Sequence, residues 1–158
     1  MSGEQPTGEA TRPTNVARAA QRLFTGIHII LYRLSGGSIG GRFGKSPVLL
    51  LITVGRKTGK ERTTPLLYLK DGEELVLVAS YGGSPTHPIW WLNLQAHPQA
   101  EVEMGRQRVR VVARQATTEE RDRLWPLLVA MYADYAAYQK KTRREIPVVL
   151  LHPQHPNA

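Results

Sequence analysis

Residues 55–62 read GRKTGKER, in which Arg56, Lys57, Lys60 and Arg62 stand against one carboxylate, Glu61. Gly55 and Gly59 permit close backbone approach, and Thr58, Thr63 and Thr64 add hydroxyls beside the charges. Gathered in one turn, such a donor set suits the oxygens of a phosphate or carboxylate ligand. A cation about 4 Å from a phosphate oxygen gains roughly 4 kcal/mol at an effective dielectric near 20, before desolvation is subtracted. The competing reading is a solvated basic loop that serves solubility. The strict phosphate loop GxxxxGK[ST] is absent because Gly55 and Gly59 are too close together, so nucleotide hydrolysis is unsupported. His28, His87, His97, His152 and His155 lack HExxH or comparable spacing, and no metal site is expected. With no cysteine in the chain, thiolate nucleophiles and disulfides are excluded, and any redox chemistry must come from a borrowed cofactor.

A second group is Tyr132, Tyr135 and Tyr138, three residues apart. On one helix they would cover about 120° of its circumference, presenting hydroxyls from a broad face. A half-buried aromatic face is the competing reading. The basic run Lys140, Lys141, Arg143 and Arg144 follows, as solvated surface or as added attraction for anions.

The elements that must position these groups fit one domain of 158 residues, 41% of them hydrophobic. A net charge of +8 favours anionic partners: nucleic acid, an acidic membrane face or a phosphorylated small molecule. Residues 1–13 are polar, contain Glu4 and Glu9, and read as a disordered tail rather than a signal peptide. Over 14–34, Val16, Ala19, Ala20, Leu23, Phe24, Ile27, Ile30, Leu31 and Leu34 recur with helical period, capped by Thr14 or Asn15. That amphipathic helix is expected to pack on the core, the alternative being an anionic bilayer met by Arg18, Arg22 and Arg33. Residues 35–44, SGGSIGGRFG, read as a flexible linker. Strands are expected over 47–54, 62–69, 74–81, 100–104, 106–116 and 146–151, with a tight turn at Asp71–Gly72 and a tail over 152–158. A short helix starts near Pro88, and a capped helix runs from Thr117 or Thr118 to about Tyr138 with a break or kink at Pro126. The fold class is α+β: a small β-barrel of about six strands with an N-terminal helix and peripheral helices. No apolar run reaches the roughly 18–20 residues of a spanning helix, so the expectation is a cytoplasmic protein that at most touches a membrane.

Taken together, GRKTGKERTTPLLYL (55–69), LVLVASYGGSPTHPIWWLNLQAHP (75–98) and MYADYAAYQKKTRREIPVVLL (131–151) resemble the deazaflavin-dependent nitroreductase and quinone reductase family, over roughly residues 46–151. The resemblance implies a split β-barrel, akin to FMN-binding proteins, and the reduced deazaflavin coenzyme F-420 as cofactor. It implies that Arg56, Lys57, Thr58, Gly59 and Arg62 bind the coenzyme, Lys57 and Arg62 holding its phosphate and carboxylate tail. Thr64, Pro65 and Leu67 would pass along the coenzyme, Leu67 standing where relatives can carry an aromatic. Ala79, Ser80, Tyr81, Gly82 and Gly83 would form the loop at the ring, with Tyr81 in place of a lysine found in some relatives. Trp90 and Asn93 fall in the next matching segment, Asn93 contacting the coenzyme through backbone or side chain. Ser80 and the tyrosines Tyr132, Tyr135 and Tyr138 would border the acceptor and polarise it or relay a proton. The implied reaction is hydride transfer from the deazaflavin C5 carbon to a quinone, a nitroaromatic or an activated alkene. An FMN-dependent reductase on the same barrel and a non-enzymatic binder of deazaflavin or a fatty acyl group stand as alternatives. No recognition motif supports nucleic acid as a partner. Peripheral contact with the inner face of the cell membrane through 16–34 would suit a membrane-soluble quinone.

Overall fold

The strand-forming segments assemble as their alternation requires. In the computed structural model, which describes residues 14–155, the elements are α1 (Asn15–Leu34), β1 (Arg42–Phe43), β2 (Ser46–Val54), β3 (Glu61–Leu67), β4 (Leu69–Asp71), β5 (Glu74–Val78), α2 (Ile89–Ala96), β6 (Gln99–Met104), β7 (Gln107–Gln115), α3 (Thr118–Met131), α4 (Asp134–Lys141) and β8 (Val148–Pro153). The tail read over 1–13 lies outside the described residues. β2 pairs with β3 on one side, Leu51 opposite Thr64, and with β6 on the other, Leu51 opposite Val102. From β6 the antiparallel order continues through β7, β8 and β5 to β4. β3 and β4 are halves of one strand interrupted at Tyr68, whose N–H donates to Pro47 O at 3.1 Å. The first half pairs with β2 and the second with β5, so the sheet curls back towards its own beginning. Counting that pair as one strand and setting aside the two-residue β1 leaves six around the barrel, the α+β architecture expected from the sequence.

Alternate residues fill two layers. Leu49, Leu51, Leu75, Leu77, Val102, Val111, Val149 and Leu151 point inward and meet Trp90, Trp91 and Leu94 of α2. Truncating a buried tryptophan to Ala typically costs about 3–5 kcal/mol, so this helix is first of all the plug of the barrel. On the outer face Val76, Val78, Val148 and Leu150 pack beneath Leu124, Leu128, Tyr135 and Ile146. β5 and β8 are thus covered on both sides, which explains why ELVLV and VVLL read as unbroken apolar runs.

Four segments depart from the expectations. The strand of 74–81 stops at Val78, because Ser80 turns to helical φ/ψ and Tyr81, Gly82 and Gly83 take φ of 45°, 62° and 78°. Pro126 does not break its helix: α3 runs through it, held by Leu124 and Leu128, both fully buried. The lost backbone hydrogen bond is outweighed by packing, and the break falls instead at Tyr132, whose extended φ of −144° separates α3 from α4. Residues 35–44 form packed turns rather than a flexible linker. A Cβ on Gly37 would lie 2.8 Å from Gly105 Cα, and one on Gly41 2.0 Å from Gly37 O, so the chain folds back too closely for side chains there.

The fourth departure is α1. Thr14 caps it, its hydroxyl accepting from Ala17 N, but the apolar stripe does not join the core: Leu23 is 68% and Phe24 73% exposed. Tyr32 is the one buried residue of the helix and its main anchor. Its hydroxyl accepts from Gly105 N at 2.8 Å and donates towards Glu103 O and Val48 O, while Arg33 grips the Glu103 carboxylate at 3.0 and 3.1 Å.

Candidate active site

The cationic stretch is the β2–β3 turn. It is closed by Gly55 N donating to Lys60 O at 2.8 Å and Gly59 N to Gly55 O at 2.8 Å, with Gly59 at φ 70°. A β-carbon on Gly55 would sit 2.8 Å from Thr58 Oγ1, which accepts from Lys60 N, so this glycine is required by the tightness of the turn. Arg56, Lys57, Thr58, Gly59, Lys60 and Arg62 are all exposed. Glu61 reaches Arg108 at 3.9 Å, and among the described residues no carboxylate comes within ion-pair distance of Arg56, Lys57, Lys60 or Arg62. The charge is therefore offered to solvent or to an anion.

Asn93 secures this turn from beneath. Its Oδ1 accepts from Arg56 N at 3.1 Å and its Nδ2 donates to Thr53 Oγ1 at 3.1 Å, with Asn93 and Thr53 both buried. Trp90, on the same helix, is buried in the barrel interior.

From the turn, β3 leads away along the barrel. Arg62 and Leu67 are five residues apart, about 17 Å at strand rise. Thr64, Pro65 and Leu67 are half-buried, and Leu67 packs in the layer that holds Tyr132, Tyr135 and Tyr138. Those tyrosines were expected on one helix. The break moves Tyr132 to the end of α3 and leaves Tyr135 and Tyr138 on α4, yet the rings still gather: Tyr132 lies 5.0 Å from Tyr135 and 6.3 Å from Tyr138, centre to centre, with Phe43 edge-on at 6.0 Å. Tyr132 and Tyr138 share a hydrogen bond of 3.3 Å between hydroxyls. That bond first, then burial and Asp134, raise the Tyr132 pKa well above its ordinary value; burial first and Tyr138 second do the same for Tyr135. Both hydroxyls hold their protons at neutral pH and can act only as donors or neutral acceptors.

The loop after β5 meets this cluster. Ala79 and Ser80 are buried, Tyr81 is exposed, and Gly83 lies so close to α4 that a Cβ would fall 2.7 Å from Tyr138 O. Arg144, which no local pattern distinguished from its basic neighbours, turns out to hold the loop through Ala79 O, Ser80 O, Ser84 O and His87 Nδ1. Burial lowers its pKa, and burial followed by the Arg144 charge lowers that of His87. Two open clefts, of about 480 and 1080 Å3, lie elsewhere along β2, β6 and β7 and beside the β4–β5 turn. Neither is lined by Lys57, Ser80 or the tyrosines, so the site is placed by its chemistry and not by concavity. Among the described residues no cluster of His, Asp and Glu could hold a metal.

Comparison with known proteins gives the family. A family profile described as F420H2-dependent quinone reductase, F420H2 being reduced coenzyme F-420, matches residues 25–153. An F420H2-dependent quinone reductase of Mycobacterium tuberculosis (strain H37Rv) is 43% identical over 129 residues, covering 79% of this chain and 87% of its own. A solved F420-H2 dependent reductase (FDR-A) superposes with TM-score 0.62 at 40% identity, over 67% of this chain and 94% of its own. A structure described as a domain-swapped dimer gives TM-score 0.65 at 34% identity, over 85% and 99%. A profile that spans the barrel, the basic turn, the Ser80 loop and the tyrosines establishes that the chain belongs to the F420H2-dependent quinone reductase family.

Proposed function

We propose that this quinone reductase holds its deazaflavin coenzyme along β3, with the anionic tail on Lys57 and Arg62 and the ring end towards Ser80 and the tyrosines. The observation that carries the reading is the separation of two chemistries along one strand: cations without carboxylate partners at the Arg62 end, protonated hydroxyls at the Leu67 end. When bound, the reduced coenzyme supplies a hydride from C5. Asn93 acts through the turn, fixing Arg56 N so that the cations are ordered before the ligand arrives. One of the Tyr132 and Tyr138 hydroxyls donates to the oxygen of the quinone while accepting the hydrogen bond of the other, so a proton it gives up is replaced from its partner and, in turn, from solvent. Tyr135, buried beneath, fixes the pair by its ring contacts. Nitroaromatics and activated alkenes are further acceptors of the same electron-poor class.

Titrating the coenzyme by its fluorescence tests the tail site. Two charge-assisted hydrogen bonds, each about 1.5–3 kcal/mol, predict that Lys57→Ala combined with Arg62→Ala weakens binding by roughly a hundredfold or more. Tyr132→Phe should leave that affinity within about threefold and lower kcat for a soluble quinone roughly tenfold to a hundredfold. Wild-type coenzyme affinity in the double variant would sink the tail site.

A second reading concerns where the acceptor is met. The outward stripe of α1, with Arg18 and Arg22 and no acidic residue between 14 and 34, favours peripheral attachment to an anionic bilayer that carries the quinone. No helix among the described residues is long and apolar enough to cross a membrane. Vesicle binding tests this attachment.

A further inference from the structure

We infer that Arg144 is a positioning residue for quinone reduction, fixing the backbone on which Ser80 and Tyr81 are carried; this rests on the reading that their loop borders the coenzyme ring. Arg144 stands in the connection between α4 and β8. Its Nε donates to Ser84 O at 2.8 Å, its Nη2 to Ser80 O at 2.8 Å and its Nη1 to Ala79 O at 3.2 Å, with His87 Nδ1 3.2 Å from Nη1. A guanidinium has no acceptor, so His87 Nδ1 must offer its lone pair, which places the imidazole proton on Nε2.

Among the described residues no carboxylate lies within ion-pair distance of Arg144, while Lys140, Lys141 and Arg143 beside it are exposed. Its partly buried charge is compensated by converging main-chain carbonyls, an arrangement only a planar fork of donors can meet. That convergence bends the loop through three successive residues at positive φ. Tyr81 is the one non-glycine residue in that region among the described residues, and such a conformation persists only where its surroundings impose it.

The other side of Arg144 is fixed to the tyrosine helix. Gln139 Nε2 donates to Arg144 O at 2.8 Å, and Gln139 Oε1 accepts from Ile146 N at 2.9 Å and from Arg121 at 3.1 Å. Gln139 follows Tyr138 directly on α4. Hydrogen bonds through Arg144 and Gln139 therefore tie the Ser80 loop to the helix that carries Tyr135 and Tyr138, and Arg144 sets the spacing of loop and helix.

The test compares the full chain with Arg144→Lys and Arg144→Ala, using reduced deazaflavin coenzyme and a water-soluble quinone. Thermal melting, coenzyme affinity, kcat and KM are measured with and without millimolar methylguanidinium. Displacement of a positioned group by a fraction of an ångström predicts that kcat falls roughly tenfold to a hundredfold in folded variants, with coenzyme affinity changed less. Methylguanidinium should restore kcat to Arg144→Ala and not to Arg144→Lys, whose own side chain occupies the space. Wild-type kcat in a folded Arg144→Lys overturns the proposal, as does a folded Arg144→Ala that the additive fails to rescue. If Arg144→Ala does not fold, the kcat of Arg144→Lys decides. Failure of the wild-type chain to bind the coenzyme would instead sink the reading on which the proposal rests.

Discussion

Asn93 and Arg144 do comparable work at opposite ends of the proposed site: each uses a side chain to hold the main chain of a loop. Removing Asn93 leaves Arg56 N and the Thr53 hydroxyl without their partner, at about 1–3 kcal/mol for each group that stays buried. Asn93→Ala is therefore expected to lower Tm by several degrees and to weaken coenzyme binding about tenfold, although its side chain points into the protein. Calorimetry and fluorescence titration on one sample check this; a lowered Tm with wild-type affinity would mean that the turn orders itself. The sequence drew attention to Asn93 and to the cations because a family pattern passes through them. It offered nothing to separate Arg144 from Arg143, since the main-chain partners of Arg144 are carbonyls 60 to 65 residues away, which carry no side-chain signature.

At the scale of elements, what could be read from the sequence was what depends on local alternation. The strands of the barrel follow apolar runs and turn residues, and the barrel class follows from their number. Boundaries set by tertiary contacts were hidden: Pro126 stays helical because the outer core holds α3, and Gly37 and Gly41 are there for close packing, against Gly105 and against Gly37 itself, rather than for slack. The junction of the Ser80 loop with α4 is another such contact. Gly83→Ala would place a methyl group 2.7 Å from Tyr138 O at a φ of 78°, so loop and helix must separate. A loss of about 2–4 kcal/mol is expected from strain and displacement together, with quinone turnover falling more than coenzyme affinity. Denaturant melts and steady-state kinetics measure both; an unaffected kcat would show that loop and tyrosines work independently.

For the molecule as a whole, the +8 charge has two outlets: the basic turn, the proposed seat of the coenzyme tail, and α1, whose apolar side is uncovered. If α1 meets a bilayer, Arg18 and Arg22 contribute about 1 kcal/mol each on an anionic surface. Sedimentation with anionic vesicles should then be roughly thirtyfold tighter than with zwitterionic ones, and deleting residues 1–34 should abolish the difference while sparing reduction of a soluble quinone. Equal sedimentation of the deleted chain would exclude α1 as the anchor. The closing seam of the barrel bears on timing rather than on binding. β5 pairs residues 75–78 with residues 148–151 of β8, and Arg144 lies just ahead of that strand. On a growing chain the open edge of β5 therefore waits about seventy residues for β8 and that of β7 about thirty, while the Ser80 loop waits about sixty for its cation. The basic turn can form early from neighbours in sequence, whereas the reactive end of the site comes into being only with the last strand. Catalytic competence is thus a late product of folding, and a chain stopped short of β8 would still carry its charge without the means to use it.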